Sequence, residues 1–192
     1  MKKLFTLAVV VALCSSFGFA QGLGLKGVGG SIGYISSTFD SGTGSESLGG
    51  FAIGAHADMG EFAPGFQLIP ELQYWRTSKD VGGATWKLGD FAINGLVHYN
   101  IKVEGSVAPF VGAGLGLNFI SSTVNVPGYS YLGYTYGGGE VTSSATRLGI
   151  NLMGGANFAA GSMTISPELR YVLASDFNHL IIKVGVTVPM GR

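Results

Sequence analysis

Large apolar residues alternate with small or polar residues along most of the chain. In residues 106–119 one face carries the apolar side chains: Val107, Val111, Ala113, Leu115, Leu117 and Phe119. The opposite face carries the small and polar ones: Ser106, Gly112, Gly114, Gly116 and Asn118. A period of two residues indicates a β-strand. The pattern recurs in eight segments, from about residues 25–36 to about residues 179–190, and predicts an all-β chain of eight strands.

The connections between the eight segments alternate in length. Those after the second, fourth and sixth segments are tight, with the sequences DMGEF, KVEG and AAG. Those after the first, third and fifth are longer and rich in Gly, Ser and Thr, whereas the link SDFNH after the seventh is short. Short turns at one end and mostly long loops at the other are typical of an eight-stranded antiparallel up-and-down barrel of the outer membrane. Such a barrel keeps both termini in the periplasm.

The scarcity of charge indicates which face of the barrel meets water. A soluble barrel keeps its apolar face inside and needs a charged outer face, whereas a transmembrane β-barrel reverses the two faces. Only 11% of the residues are charged, against about 25% in ordinary soluble domains. The apolar face is therefore predicted to meet lipid, and small or polar side chains to fill the lumen. Two aromatic girdles are expected, near the loops at Tyr34, Tyr74, Phe91, Phe119 and Tyr171, and near the turns at Phe66, Tyr99 and Phe158.

The N-terminal segment differs from the rest of the chain. A basic start precedes an apolar run over residues 4–13, and the small residue Ala20 supplies a cleavage site. Residues 1–20 are therefore predicted to be a signal peptide, and residues 21–192 the barrel domain. Cleavage removes the only cysteine, Cys14, and two of the eleven basic residues, which leaves nine against eleven acidic residues and a net charge of about −2. This balance argues against a nucleic acid partner.

The pattern Pro-Glu-Leu-x-Tyr occurs twice, at residues 70–74 and 167–171. Alternation places its Leu and Tyr outward and its Glu in the lumen, on the third and seventh strands, half a barrel apart. Two buried carboxylates need cations between them. We therefore predict an ion-pair network that fills the lumen and denies a continuous water channel. Its candidate members are the inward-facing charged residues Glu71, Glu168, Arg147, Arg170, Lys183 and Asp90.

The segment GYSYLGYTYGGGE, residues 128–140, is rich in tyrosine. A central Leu132-Gly133 pair divides the tyrosines symmetrically and predicts a hairpin with a two-residue turn above the membrane. Tyrosine offers a large contact area at a small cost in conformational entropy, so this third loop is a candidate surface for partner contacts. Stacked tyrosines that only stabilise the loop are the alternative. The tyrosines concerned are Tyr129, Tyr131, Tyr134 and Tyr136.

Few residues are candidates for catalysis or metal binding. The link SDFNH places Ser175, Asp176 and His179 in the last surface loop. Neighbours in so short a turn rarely reach the geometry of a catalytic triad, in which a base activates the nucleophile and a third residue orients the base. His56 and His98 point inward without a third ligand at a recognisable spacing. No catalytic residue, metal or cofactor is therefore predicted.

Five segments carry a family resemblance: FQLIPELQYW, FAINGLVHYNI, APFVGAGLGLNF, RLGINLMGGANF and ISPELRYVL. They resemble the outer membrane protein beta-barrel domain family, the small porin-like or OmpX-like barrels of Gram-negative envelopes. The resemblance covers nearly all of residues 21–192. It implies an eight-stranded outer-membrane barrel and little about activity. One departure is the ending VTVPMGR, because such chains usually end on an aromatic residue that helps the insertion machinery recognise the last strand.

These features together predict a non-enzymatic, monomeric protein of the cell outer membrane with a structural role and a candidate surface loop. A passive, porin-like conduit for small or apolar solutes is the alternative, and an enzyme acting on lipid through His179 is a more distant one. The expected partners are outer-membrane lipid and lipopolysaccharide, and the barrel-insertion machinery during biogenesis. An extracellular or host surface ligand is a further candidate.

Overall fold

The computed structural model describes residues 23–40, 45–81, 83–131, 134–175 and 178–190. These residues form eleven strands in chain order: β1 (Gly27–Asp40), β2 (Ser45–Asp58), β3 (Glu61–Ala63), β4 (Phe66–Val81), β5 (Ala84–Asn100), β6 (Val107–Val126), β7 (Tyr129–Tyr131), β8 (Tyr134–Tyr136), β9 (Gly139–Ala160), β10 (Met163–Ala174) and β11 (Asn178–Pro189). Across those ranges, no helix is long and apolar enough to cross a membrane. The predicted signal peptide lies outside the described residues.

Eight of the strands form a closed antiparallel barrel. The order around the barrel is β1, β2, β4, β5, β6, β9, β10 and β11, each paired with the next. The last strand, β11, pairs with β1 from Gly27↔Pro189 to Thr38↔Asn178 and closes the sheet. The prediction of an eight-stranded antiparallel up-and-down barrel is therefore confirmed. The short β3 pairs only with β4, and β7 pairs with β8 as a separate hairpin in the connection between β6 and β9.

The large apolar side chains of the barrel lie on its outer surface. Phe51 is 74% exposed and Leu148 62% exposed, whereas their neighbours Ala52 and Gly149 are buried. Every aromatic residue assigned to the two predicted girdles is exposed in the same way: Tyr34, Tyr74, Phe91, Phe119, Tyr171, Phe66, Tyr99 and Phe158. A fold that exposes its apolar strand faces and buries its polar ones suits a lipid surrounding, because lipid does not penalise apolar surface.

The lumen contains more apolar volume than the sequence analysis predicted. Near the loop end the inward side chains form an apolar layer of five buried residues, against which Leu88 and Ile120 pack: Ile35, Ala52, Trp75, Val172 and Ile181. Nearer the turn end Leu96, Phe110 and Met153 form a second apolar group. Glycine makes room for it, because a Cβ on Gly155 would collide with the ring of Phe110 and the carbonyl of Pro167. Large inward residues therefore fit opposite inward glycines.

Prolines interrupt the strand ladders near the turn end of the barrel. Pro167 pairs with Val184 of β11, but the ladder between β10 and β9 has no pair at Pro167 and resumes at Glu168↔Gly155. Pro70 lies beyond the last β2–β4 pair, His56↔Glu71, and faces Gly95 of β5. Proline has no N–H to donate to a neighbouring strand. Pro70 and Pro167 each lie where the pairing with one neighbouring strand is interrupted or has ended.

Candidate functional site: a charged layer across the lumen

The central feature of the lumen is a pair of charged residues from opposite walls. Glu71 lies on β4 and Arg170 on β10, four strands apart in either direction around the eight-stranded barrel. Arg170 Nη1 donates to Glu71 Oε1 at 2.5 Å, and Nη2 donates to Oε2 at 3.2 Å. The Arg170 side chain is 0% exposed and that of Glu71 2% exposed. This two-bond geometry is the strong form of an arginine–carboxylate pair, and it spans the full width of the lumen.

Two further charged residues complete the cluster. Glu168, two positions before Arg170 on β10, accepts a hydrogen bond from Arg170 Nε at 2.7 Å. Lys183 of β11 forms an ion pair with Glu71 Oε2 and lies 3.5 Å from Glu168 Oε1. We call Glu71, Glu168, Arg170 and Lys183 the lumen cluster. Two carboxylates and two cations balance, so no net charge is buried without a partner.

Amide side chains extend the cluster to the remaining wall of the barrel. Asn94 of β5 donates to Glu71 Oε1 at 3.3 Å. Asn151 of β9 donates to Asn94 Oδ1 at 3.3 Å. All three side chains are buried. The polar layer therefore involves five of the eight barrel strands, β4, β5, β9, β10 and β11.

A chamber of about 310 Å³ lies between the lumen cluster and the turn end of the barrel. Hydrogen-bonded amides and hydroxyls line its wall: Ser166 donates to Asn157 at 2.7 Å, Asn157 to Asn100 at 3.2 Å, and Asn100 to Gln67 at 3.1 Å. His56 of β2 and Thr187 of β11, 2.8 Å apart, line another part of the chamber. Polar side chains thus line much of the chamber, together with the apolar Ile69, Leu96 and Ala108, and the lumen cluster forms its floor.

Aromatic contacts flank the cluster on both sides. Toward the turn end, His98 stacks on Phe110 with ring centroids 4.3 Å apart. Toward the loop end, Trp75 lies 6.0 Å from the ring of His179. The prediction that His179 lies in the last surface loop is wrong, because it is the second residue of β11 and is 2% exposed inside the barrel. Its alternation with the outward Leu180 and Ile182 explains this position.

Two predicted members of the network lie apart from it. Asp90 is buried beside Trp75, its cross-strand partner on β4, in the half of the lumen near the loops. Arg147 also lies toward the loop end, opposite Asn118, whose side-chain amide donates to the Arg147 carbonyl at 3.5 Å. Strand alternation assigns both residues to the inward face correctly. Alternation does not tell how far along the barrel axis a residue of one strand lies relative to a residue of another. Asp90 and Arg147 are separated from the lumen cluster along this axis.

The four tyrosines of the third loop lie on the β7–β8 hairpin. Tyr129 pairs with Tyr136 and Tyr131 with Tyr134, which is the register that the sequence symmetry predicts. The proposed turn at Leu132-Gly133 lies outside the described residues. Within the described ranges no group of three or more His, Cys, Asp or Glu residues could hold a metal ion.

The barrel closure, the outward apolar surface and the charge-balanced polar layer across the lumen define the class of small membrane β-barrels. Residues 5–188 match the family model for the outer membrane protein beta-barrel domain, and the chain belongs to this family. The family description names a barrel and no enzymatic activity. A comparison with curated proteins gave no significant match.

Solved structures show the same fold. The crystal structure of Neisserial surface protein A superposes with a TM-score of 0.57 at 19% sequence identity, covering 87% of this chain and 99% of the other. Ail, the attachment invasion locus protein of Yersinia pestis, in complex with the heparin analogue sucrose octasulfate, superposes with a TM-score of 0.51 at 14% identity, covering 86% of this chain and 100% of the other. At these identities the similarity shows a shared outer-membrane barrel fold.

Proposed function

We propose that this protein is a structural barrel of the outer membrane whose lumen is closed to ions, with no enzymatic role. One observation carries the proposal: the Arg170–Glu71 pair joins opposite walls of the barrel, β10 and β4, with both side chains almost fully buried. An ion that crosses the lumen would have to separate this pair. Removing one partner from a buried ion pair costs about 3–5 kcal/mol, so the layer is a substantial barrier.

The apolar layer near the loop end adds a second barrier. Ile35, Trp75 and Ile181 are each at most 2% exposed and pack with their neighbours across the lumen. Apolar constrictions exclude water and ions without any charged gate. The chamber at the turn end is thus a closed recess rather than half of a pore. The proposed orientation has the short turns and both termini in the periplasm, as in other outer-membrane barrels.

Planar-bilayer recording tests the closed lumen. The folded wild-type protein is expected to give no stable unitary current at concentrations at which a known porin, measured in parallel, conducts. Stable unitary steps from the wild type would support the alternative, a passive conduit for small solutes. As a control, the variant Arg76→Met changes an arginine outside the lumen, so it should give no more current than the wild type.

A second candidate role is contact with a partner through the β7–β8 hairpin. Its support is the register that pairs Tyr129 with Tyr136 and Tyr131 with Tyr134, in the connection that leaves the barrel at its loop end. A variant in which these four tyrosines become serine keeps the loop length. Cells that display this variant should bind less to host cells or matrix than cells that display the wild type. Equal binding would assign the tyrosines a role in loop stability alone.

A further inference from the structure

We infer that the outer wall of the barrel carries a binding site for the phosphate group of an anionic amphiphile in the outer leaflet, such as a phosphorylated glycolipid. The site lies on the outward face of β4, β5 and β6 near the loop end. It is centred on Arg76 and Lys87, and we call it the outer-wall groove. It is separate from the lumen, so it does not depend on whether the barrel conducts.

The groove arises from three successive rows of outward residues across three adjacent strands. The row nearest the barrel centre is aromatic: Tyr74, Phe91 and Phe119 are cross-strand partners, and the two Phe rings lie 6.2 Å apart. The next row toward the loops is Arg76, Gly89 and Ser121, and the third is Ser78, Lys87 and Thr123. Each row lies two residues, about 7 Å, from the previous one.

Gly89 makes this surface concave. It stands between Arg76 on one neighbouring strand and Ser121 on the other, and it has no side chain to cover the sheet. The resulting recess measures about 320 Å³ and borders Arg76, Lys87 and the aromatic row. A Cβ on Gly89 would lie 3.4 Å from the carbonyl oxygen of Trp75 and 3.7 Å from the stem of Arg76, which are ordinary contact distances, so a larger residue would fill the recess.

The charges of the groove suit an anion. In the described parts of the chain, no carboxylate forms an ion pair with Arg76 or Lys87. Asp90 also borders the recess, but it is 2% exposed and lies on the lumen side of β5. The hydroxyls of Ser121 and Thr123 add neutral hydrogen-bond donors, and Thr123 lies 3.1 Å from Thr142 on β9. A phosphate accepts bonds from all of these groups.

The placement of the two cations is selective. The described barrel strands carry six basic residues: Arg76, Lys79, Lys87, Arg147, Arg170 and Lys183. Strand alternation puts four of them on inward rows, and only Arg76 and Lys87 belong to outward rows. These two lie on adjacent strands on the loop side of the aromatic row, Arg76 in the next row and Lys87 in the row beyond it. Aromatic girdles mark the level of the membrane interface, so the cations sit at the depth of lipid headgroups while the rings meet the acyl chains.

Native mass spectrometry of the folded protein in detergent, with added lipid, tests the groove. The probes are bisphosphorylated lipid A, its fully dephosphorylated form, and inorganic phosphate as competitor. The wild type is expected to retain the bisphosphorylated form at least roughly tenfold better than the dephosphorylated one, which corresponds to about 1.4 kcal/mol. Inorganic phosphate should not displace it, because the free anion lacks the contacts of the chains with Tyr74, Phe91 and Phe119.

Variants locate the binding. Arg76→Gln with Lys87→Gln should lose this preference, and Gly89→Leu, which keeps both cations and fills the recess, should weaken retention as well. Lys26→Gln with Lys102→Gln removes the same charge near the turn end and should bind as the wild type does. All substituted positions are at the surface or in contact with solvent, and gel mobility of the unheated sample checks folding. Equal retention of dephosphorylated lipid, unchanged binding by the first double variant, or displacement by inorganic phosphate would overturn the proposal.

Discussion

The guanidinium of Arg170 reaches across the barrel to the carboxylate of Glu71, with two hydrogen bonds of 2.5 and 3.2 Å between residues 99 positions apart in the chain. The same guanidinium holds Glu168 on its own strand at 2.7 Å. Lys183 lies against both carboxylates. One arginine therefore links the two copies of the Pro-Glu-Leu-x-Tyr pattern. The repeat places a carboxylate on each wall, and the second copy brings the cation that joins them.

Replacing this arginine should destabilise the barrel strongly. Arg170→Met leaves two buried carboxylates to share Lys183, and breaking a buried pair in this way costs about 3–5 kcal/mol. Urea unfolding of the protein in lipid vesicles measures the loss. Lys102→Met, in an exposed turn, should change stability by less than about 0.5 kcal/mol and serves as the control. An Arg170→Met barrel as stable as the control would show that the pair contributes nothing.

Removing one carboxylate together with the arginine should restore part of the stability. The double variant Arg170→Met, Glu168→Gln leaves Glu71 and Lys183, one anion and one cation, in contact. Its unfolding free energy should lie above the value expected from adding the two single losses, with a coupling of about 1–3 kcal/mol. A double-mutant cycle in the same vesicles measures the coupling. Strict additivity would contradict a charge-balanced cluster.

The two tryptophans should report different surroundings. Trp75 is 2% exposed inside the apolar layer of the lumen, whereas Trp86 is 46% exposed near the loop end. In a Trp86→Phe variant the remaining tryptophan should be shielded from acrylamide in the folded state and quenched after unfolding. In a Trp75→Phe variant the remaining tryptophan should be quenched in both states. Equal quenching of the two folded variants would place Trp75 outside the closed lumen.

Glycine substitutions should separate the filled lumen from the outer wall. Alanine at Gly155 would meet the ring of Phe110 and the carbonyl of Pro167, and overpacking of this kind costs about 1–3 kcal/mol. Alanine at Gly95 would meet no heavy atom within 4 Å. Gly95→Ala should therefore leave stability unchanged or slightly higher. Thermal or urea unfolding of the two variants gives the comparison, and similar losses at both positions would argue against a tightly packed lumen.

Strand alternation, the lengths of the connections and the scarcity of charge were together sufficient to predict the barrel and the direction of most side chains. It placed Glu71, Glu168, Arg170 and Lys183 inside, and the structure joins these four in one cluster. The alternation is reliable here because a shift of one residue would move every apolar side chain from lipid into the lumen.

Depth and element boundaries were harder to predict. Asp90 and Arg147 face inward but lie nearer the loop end, because the stagger between strands depends on the pairing register and not on any one strand. His179 was placed in a loop because SDFNH is composed of turn residues, whereas β11 begins at Asn178. The apolar layer around Trp75 was missed for a different reason. Its members occupy inward-facing positions of the alternation. The many glycines on the inward face, however, did not indicate which large residues would fit opposite them.

The most direct test of the lumen cluster is the spacing between the arginine nitrogens and the glutamate carboxyl carbons in a lipid bilayer. Solid-state NMR dipolar recoupling on protein with ¹⁵N-labelled arginine and ¹³C-labelled glutamate measures it. With Arg170 Nη1 and Glu71 Oε1 2.5 Å apart, a strong coupling is expected, which Arg170→Met and Glu71→Gln each reduce and Arg76→Gln leaves intact. No short coupling in the wild type, or one whose strength Arg170→Met leaves unchanged, would contradict an ion pair that spans the lumen.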